Sequence, residues 1–168
     1  QVQFDRWVGG LALQFTSDGL LFQRPNRFLA GVDYGMQNDN RQRFNNNFGV
    51  RGIINLNQIE RVQSIGPFFR NEWSISDKLD VVIGGRWDWL HYQIKDQYQT
   101  DGNQSGSRVV SQASGSAGMV YHLTPQHQAY AHIASIFEAP TTTELLNNPA
   151  GRGGFNPLLM ITPGGNPS

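Results

Sequence analysis

Along six stretches of this chain, apolar and polar side chains take turns for about ten residues at a time. The fourth stretch, Leu79 to Tyr92, is the clearest. Leu79, Val81, Ile83, Gly85, Trp87 and Trp89 fall on one face, and Asp80, Val82, Gly84, Arg86, Asp88 and Tyr92 fall on the other. A period of two is that of a β-strand, whose successive side chains point to opposite faces. Charges in a dry core are costly, so the face with Asp80, Arg86 and Asp88 needs a wet surround.

Two further stretches repeat the pattern in full. In Arg6 to Phe15, Trp7, Gly9, Leu11, Leu13 and Phe15 oppose Arg6, Val8, Gly10, Ala12 and Gln14. In Arg27 to Gln37, Phe28, Ala30, Val32, Tyr34 and Met36 oppose Arg27, Leu29, Gly31, Asp33, Gly35 and Gln37. The third runs from Val62 to Ile75, with Ile65, Phe69, Trp73 and Ile75 against Gly66, Phe68, Arg70, Glu72 and Ser74. The fifth and sixth cover Ala113 to Leu123 and Gln128 to Phe137. Tight turns are predicted after the first, third and fifth strands, at Ser17-Asp18-Gly19, Ser76-Asp77-Lys78 and Thr124-Pro125-Gln126. Pro25 is expected to forbid a long regular strand just after it.

Long polar loops are expected after the second, fourth and sixth strands. They cover residues 38–61, with a short strand extension at 49–59, then 93–112, then 138 onward. Short turns at one end and long loops at the other, joined by strands with two unlike faces, describe an antiparallel transmembrane β-barrel. Averaging over both faces hides the signal, and the mean hydropathy is −0.45. The run from Leu79 to Trp87 spans roughly 26 Å of strand. At a tilt near 40° this leaves roughly 20 Å of height, close to the ~25 Å apolar band of such barrels. Trp73 then falls at one interface and Trp87 or Trp89 at the other. The competing architecture is a soluble antiparallel sandwich with one wet face.

Six strands are too few to close a membrane barrel, whose smallest members have about eight. Open edges would leave backbone groups unpaired in lipid. The expected fold class is therefore all-β: an antiparallel transmembrane β-barrel fragment of about six meander strands, with residues 1–168 as part of a larger barrel domain. No apolar run is long enough for a membrane helix, and the first residues do not read as a signal peptide. Thirteen basic and thirteen acidic residues leave no net charge and no basic stripe, which disfavours a nucleic-acid partner. Cysteine is absent, so neither a disulfide framework nor a thiolate metal site is available. His91, His122, His127 and His132 have no metal-ligand spacing; His122 and His127 flank a turn, but two neutral ligands make a weak site. No nucleophile motif is present, and Asp88 and His91 have opposite parity. No enzyme activity, cofactor or metal is expected.

Several segments resemble the barrel of TonB-dependent outer-membrane receptors. Gly66-Pro67-Phe68-Phe69-Arg70-Asn71-Glu72-Trp73 resembles a family strand that ends in an acidic and an aromatic residue. Ile83-Gly84-Gly85-Arg86-Trp87-Asp88 is similar to its Gly-x-Arg-x-Asp strand, and Ser116 to Tyr121 to the Gly-x-x-Tyr strand before a Thr-Pro turn. Most specific is the order Phe137-Glu138-Ala139-Pro140-Thr141, Glu144-Leu145, then Asn156-Pro157-x-Leu159, against Phe-x-x-Pro-Thr, Glu-Leu and Asn-Pro-x-Leu. Residues 56–61 and 141–146 lean toward receptors of the ferric citrate or siderophore type. The family's usual Pro-Glu after Asn-Pro-x-Leu is replaced here by Met160-Ile161-Thr162-Pro163.

The resemblance implies a bacterial outer-membrane location and a closed barrel of about twenty-two strands. It also implies outer-membrane lipid around the barrel, a plug domain inside it, the energy-coupling protein TonB as partner, and a ferric chelate as ligand. Asp33, Arg70, Glu72, Arg86 and Asp88 would form the lumen wall that faces the plug; plain solvated charge pairs are the competing reading. Arg41, Arg43, Arg51 and Arg152, with Asn156, are the candidate ligand contacts in loops, because a guanidinium grips carboxylates in a bidentate fork. A solvated loop is the alternative there. Phe137, Pro140, Thr141, Glu144, Asn156 and Pro157 carry the family motif in a structural role. The chain is expected to form a short helix through Glu144 with Thr141 as its cap. A passive porin and a soluble β-rich binding domain are the alternative functions.

Overall fold

The computed structural model describes residues 1–146 and 153–155. The alternating stretches become β1 (Val2–Leu21), β2 (Arg24–Asn47), β3 (Val50–Ser76), β4 (Leu79–Asp96), β5 (Gly106–Thr124) and β6 (His127–Ser135). A single turn of 3-10 helix spans Gln99–Asp101, and a short helix, α1 (Thr142–Leu146), follows β6. The strands form one antiparallel sheet in chain order, β1 to β6.

Cross-strand register decides which residues share a face. Ala12 lies opposite Asp33, Asp33 opposite Gly66, Phe68 opposite Arg86 and Arg86 opposite Ser114. Their face carries Asp18, Arg27, Asp33, Arg70, Glu72, Asp80, Arg86 and Asp88. The other face carries Leu11, Leu13, Phe15, Ile83, Trp87 and Met119, each at least half exposed. Bare apolar side chains in such a continuous sheet are stable only against lipid.

Aromatic residues mark the two edges of that apolar face. Trp7 is in register with Asn38, Asn38 with Arg61, and Arg61 with Gln93. Three strand spacings of about 4.8 Å climb roughly 9 Å when strands tilt near 40°, and the four residues from Gln93 back to Trp89 descend roughly 10 Å. Trp7 and Trp89 thus stand at one height. Trp73, in register with Val81, falls roughly 23 Å lower by the same geometry, which matches a ~25 Å band.

The strands are longer than the alternation predicts, and the first turn lies elsewhere. Ser17-Asp18-Gly19 is strand; the chain reverses at Phe22-Gln23, both with positive φ (50° and 61°). Two left-handed residues match a hairpin's twist. Trp73 holds the turn: its indole N–H donates to the Leu21 carbonyl at 3.2 Å and its ring packs on Phe22 at 5.9 Å. Pro25 does not interrupt β2. It pairs with Leu20 next to the turn, while the β3 ladder begins only at Asn26. Opposed pairs alternate between bonded and non-bonded, so the missing N–H breaks no ladder bond there.

The expected loop 38–61 is a hairpin. β2 and β3 run on, paired, to a two-residue reversal at Phe48-Gly49, where both φ are positive and the Asn46 side chain accepts the Gly49 N–H at 2.9 Å. Likewise the loop 93–112 shrinks to 97–105, because β4 and β5 stay in register up to Ile94–Gly106. Asp77-Lys78 and Pro125-Gln126 turn as expected, each beside a register shift.

In the complete barrel reconstituted in lipid, Ile83→Arg is expected to cost about 2–3 kcal/mol of unfolding free energy, since Ile83 faces hydrocarbon. On the other face, a Cβ at Gly84 would meet only the Ser116 hydroxyl at 3.3 Å and the Phe69 carbonyl at 3.4 Å. Gly84→Ser should therefore cost less than about 1 kcal/mol. Equal costs in denaturant unfolding would reverse the face assignment.

Candidate functional site

On the charged face the side chains pair instead of pointing free. Arg86 lies across the strands, its Nη1 2.6 Å from Asp33 on β2 and its Nε 2.7 Å from Asp88 on its own strand. Its reach depends on Gly66 of the intervening strand. A Cβ there would fall on the guanidinium and 2.8 Å from the Asp88 carboxylate. Phe68 packs beneath, 5.8 Å from the guanidinium carbon. Arg70 and Glu72, neighbours on one face of β3, pair at 2.8 Å. All five predicted wall residues thus belong to two ion-paired groups on one surface. Nearer the turns, Arg27 approaches Asp18 at 3.7 Å and His122 meets Asp80 at 2.8 Å. His122 is therefore not a free histidine, and His127 is engaged separately with Thr124 at 2.9 Å.

Beyond the Trp7–Trp89 level the same face continues as a buried polar row. Asp39 is fully buried and accepts from Arg6 Nε and Nη2, both at 2.8 Å, and from Gln37 at 2.8 Å. Its register partner Glu60 is also buried; it accepts from Gln58 at 2.7 Å and faces Arg41 at 3.4 Å. Burial pushes the Glu60 carboxyl above its ordinary value, against the hydrogen bonds from Gln58 and Arg41. Asp96 accepts the N–H groups of Tyr98 and Gln104, both at 2.9 Å, and so shapes the 97–105 connection.

Arg41, Arg43 and Arg51 stand on strands, not on loops, because the hairpin continues. Arg41 is occupied by Glu60. Arg43 donates to Asn55 at 3.0 Å. Arg51 donates to Gln3 at 3.1 Å and covers the Phe44 ring at 3.5 Å. Arg152, Asn156 and Pro157 lie outside the described residues. Among the described residues no cluster of three metal-ligating side chains occurs. Asp88 and His91 do point to opposite faces, the latter against Trp89 at 5.7 Å.

The Thr141 cap forms as the motif suggests. The Thr141 hydroxyl accepts the Glu144 N–H at 3.2 Å, and the Glu144 carboxylate accepts the Thr141 N–H at 2.7 Å and its hydroxyl at 2.9 Å. This is a reciprocal capping box. Hydrogen bonds from the Thr141 backbone and then its hydroxyl lower the Glu144 carboxyl below its ordinary value. Phe137 and Pro140 belong to the same segment; the Pro140 carbonyl accepts the Tyr92 hydroxyl at 2.7 Å. Sequence reasoning missed Arg6, Asp39, Gln58 and Glu60 as a group. Their spacing by two through 37–41 and 56–62 was the available signal.

A sheet with a lipid-solvated face, an ion-paired face, short turns at one end and long extensions at the other is a membrane β-barrel wall. The family model described as TonB dependent receptor-like, beta-barrel matches residues 1–168, and the chain belongs to that family. Its barrels are bacterial outer-membrane proteins, and the family consists of receptors and transporters rather than enzymes. In this class the short turns are periplasmic and the long extensions extracellular; the charged face is then the lumen face.

Two predictions follow from this geometry. Asp33→Asn should cost up to about 1 kcal/mol, as the pair with Arg86 is half exposed. With Gly66→Val already present the same change should cost almost nothing, because the guanidinium has been displaced. A double-mutant cycle on the refolded complete barrel reads the difference. Separately, a carboxyl-13C titration of Glu144 should give a midpoint below that of an ordinary glutamate, and Thr141→Val should move it part of the way back. The sign follows from linkage: the ionised form is favoured in the fold, so the cap contributes above the ordinary value and is lost as pH falls through the lowered one.

Proposed function

We propose that this chain is a section of the barrel of an energy-coupled outer-membrane receptor that imports ferric chelates of the ferric citrate or siderophore type. The family match across the whole chain carries the receptor part. The segments at 56–61 and 141–146 carry the leaning to iron. Residues 1–168 are one part of a larger domain: β1 and β6 each keep an unpaired edge among the described residues, and lipid admits only closed barrels. Further strands close it, and a plug fills it.

Asp33, Arg70, Glu72, Arg86 and Asp88 face that plug. Their mutual pairing sets two arginines against three carboxylates, so the wall is polar with each charge partnered, and a globular domain can seat on it without stranding an unpaired charge. Of the arginines on this hairpin, Arg43 pairs with Val2 on the lumen-side face, while Arg51, beside the Phe48-Gly49 tip, bonds Gln3 on the outer face; both remain candidates to meet an anionic chelate, with Arg152 and Asn156. Arg41 serves the wall through Glu60.

The test uses the complete receptor in cells that lack other ferric uptake routes. Uptake of radioactive ferric citrate should require both this protein and TonB. Uptake without TonB, together with steady conductance in planar bilayers, would make it a passive channel instead. Binding of no ferric chelate by a plugged, silent protein would remove the iron part and leave the receptor.

A further inference from the structure

Above the tryptophan level β4 exchanges its faces. Below it, the outward positions are apolar and the lumen positions carry Asp80, Arg86 and Asp88, with Val82 the apolar one among them. Above it, the outward positions are His91, Gln93 and Lys95, and the lumen positions are Leu90, Tyr92 and Ile94. The apolar side has moved from the lipid to the lumen at the height where lipid ends. What covers it is the chain that follows β6.

Leu145, 1% exposed, and Leu146 pack on Tyr92, Ile94 and Val110, with Phe137, Val62, Leu90 and Phe155 around them. The Tyr92 hydroxyl, pushed up to about 12 by burial, stays protonated as a donor to Pro140. Farther on, the Gly154 N–H donates to the buried Gln58 side chain at 3.3 Å, and Phe155 lies over Gly106 with the Arg108 guanidinium 5.1 Å from its ring. The segment is thus held against β3, β4 and β5 by separate contacts. The capping box starts its helix at a fixed point. Loops that swing carry few buried apolar contacts; this one has a dry seam.

We propose that residues 137–146 form a fixed strap across the lumen side of β3 to β5, part of the wall at the extracellular mouth and not a moving gate. The strap narrows this sector permanently, and Tyr92 is its positioning residue. Its docking is independent of the transport reading; only its stillness in energised cells touches that reading.

The chain has no cysteine, so single thiols report cleanly in the complete receptor. Val110→Cys sits in the seam, 3% exposed. Ser107→Cys sits on the same strand, exposed on the opposite face. In intact cells a membrane-impermeant maleimide should label Val110→Cys at least about a hundredfold more slowly than Ser107→Cys, as expected for a site reached only by local opening. The ratio should be the same in energised and TonB-deficient cells. Adding Leu145→Asp should bring the two rates to within about threefold; the milder Tyr92→Phe should speed Val110→Cys by about tenfold in a barrel that still folds. Fast labelling of Val110→Cys alone would show that the strap is not docked. Slow labelling without TonB but fast labelling in energised cells would make it a gate. Absent ferric citrate uptake with unchanged slow labelling would overturn the transport reading and leave the strap standing.

Discussion

Hydrocarbon accepts neither a charge nor an unpaired backbone amide, and the rest of this sheet is arranged around that exclusion. Every strand must give its N–H and C=O groups to a neighbour, which forces the meander. Every charge at membrane depth must then lie on one face. Side chains alternate with a period of two, so a slip of one residue would carry Asp33, Glu72 and Arg86 into lipid together. The register is therefore set by the most expensive residues, not by the most apolar ones. Short turns support it: the Trp73 indole bonded to the Leu21 carbonyl fixes where β1 ends relative to β3.

Glycines let large side chains lie flat on both faces. On the lipid face Phe69 covers Gly85 and Trp7 covers Gly9; on the lumen face Phe68 covers Gly31 and Arg86 crosses Gly66. In each case a Cβ would meet the covering side chain at or below 3 Å. A bare glycine in a strand exposes backbone and weakens packing; a ring laid across it restores contact. The same device serves an electrostatic end at Gly66, where it lets one arginine bridge carboxylates on two strands. Arg86 thereby stays close to the wall instead of reaching into the lumen.

The membrane-deep part of the sheet was legible because its two faces differ in chemistry. The parity of Asp33, Arg70, Glu72, Arg86 and Asp88 followed from alternation alone, and register confirms it. Their partners did not follow, since Arg86 bonds a residue 53 positions away. The extension 38–61 was legible only in its second half, where 49–59 reads as strand. Residues 38–47 are polar on both faces, with side-chain bonds such as Arg6–Asp39, Gln42–Asn57 and Arg43–Asn55 taking the place of an apolar stripe. The turn at Phe22-Gln23 has neither glycine nor asparagine, and its left-handed residues are held by a tryptophan on a distant strand. Ser17-Asp18-Gly19 had the better local chemistry and lost to that tertiary contact. The cap at Thr141 and Glu144 was readable because it is local.

The inversion along β4 shows one rule at work in two solvents. A half-apolar strand needs its apolar side covered and its polar side wet. Up to Trp89 lipid covers the outside and water or plug meets the inside. Past Trp89 the outside is wet, so His91, Gln93 and Lys95 face it, and cover must come from within. No second sheet lies there among the described residues; the chain's own return through Leu145 and Leu146 supplies it. The membrane boundary is thus written into β4 as a change of phase in its alternation, and the strap is the consequence of that change.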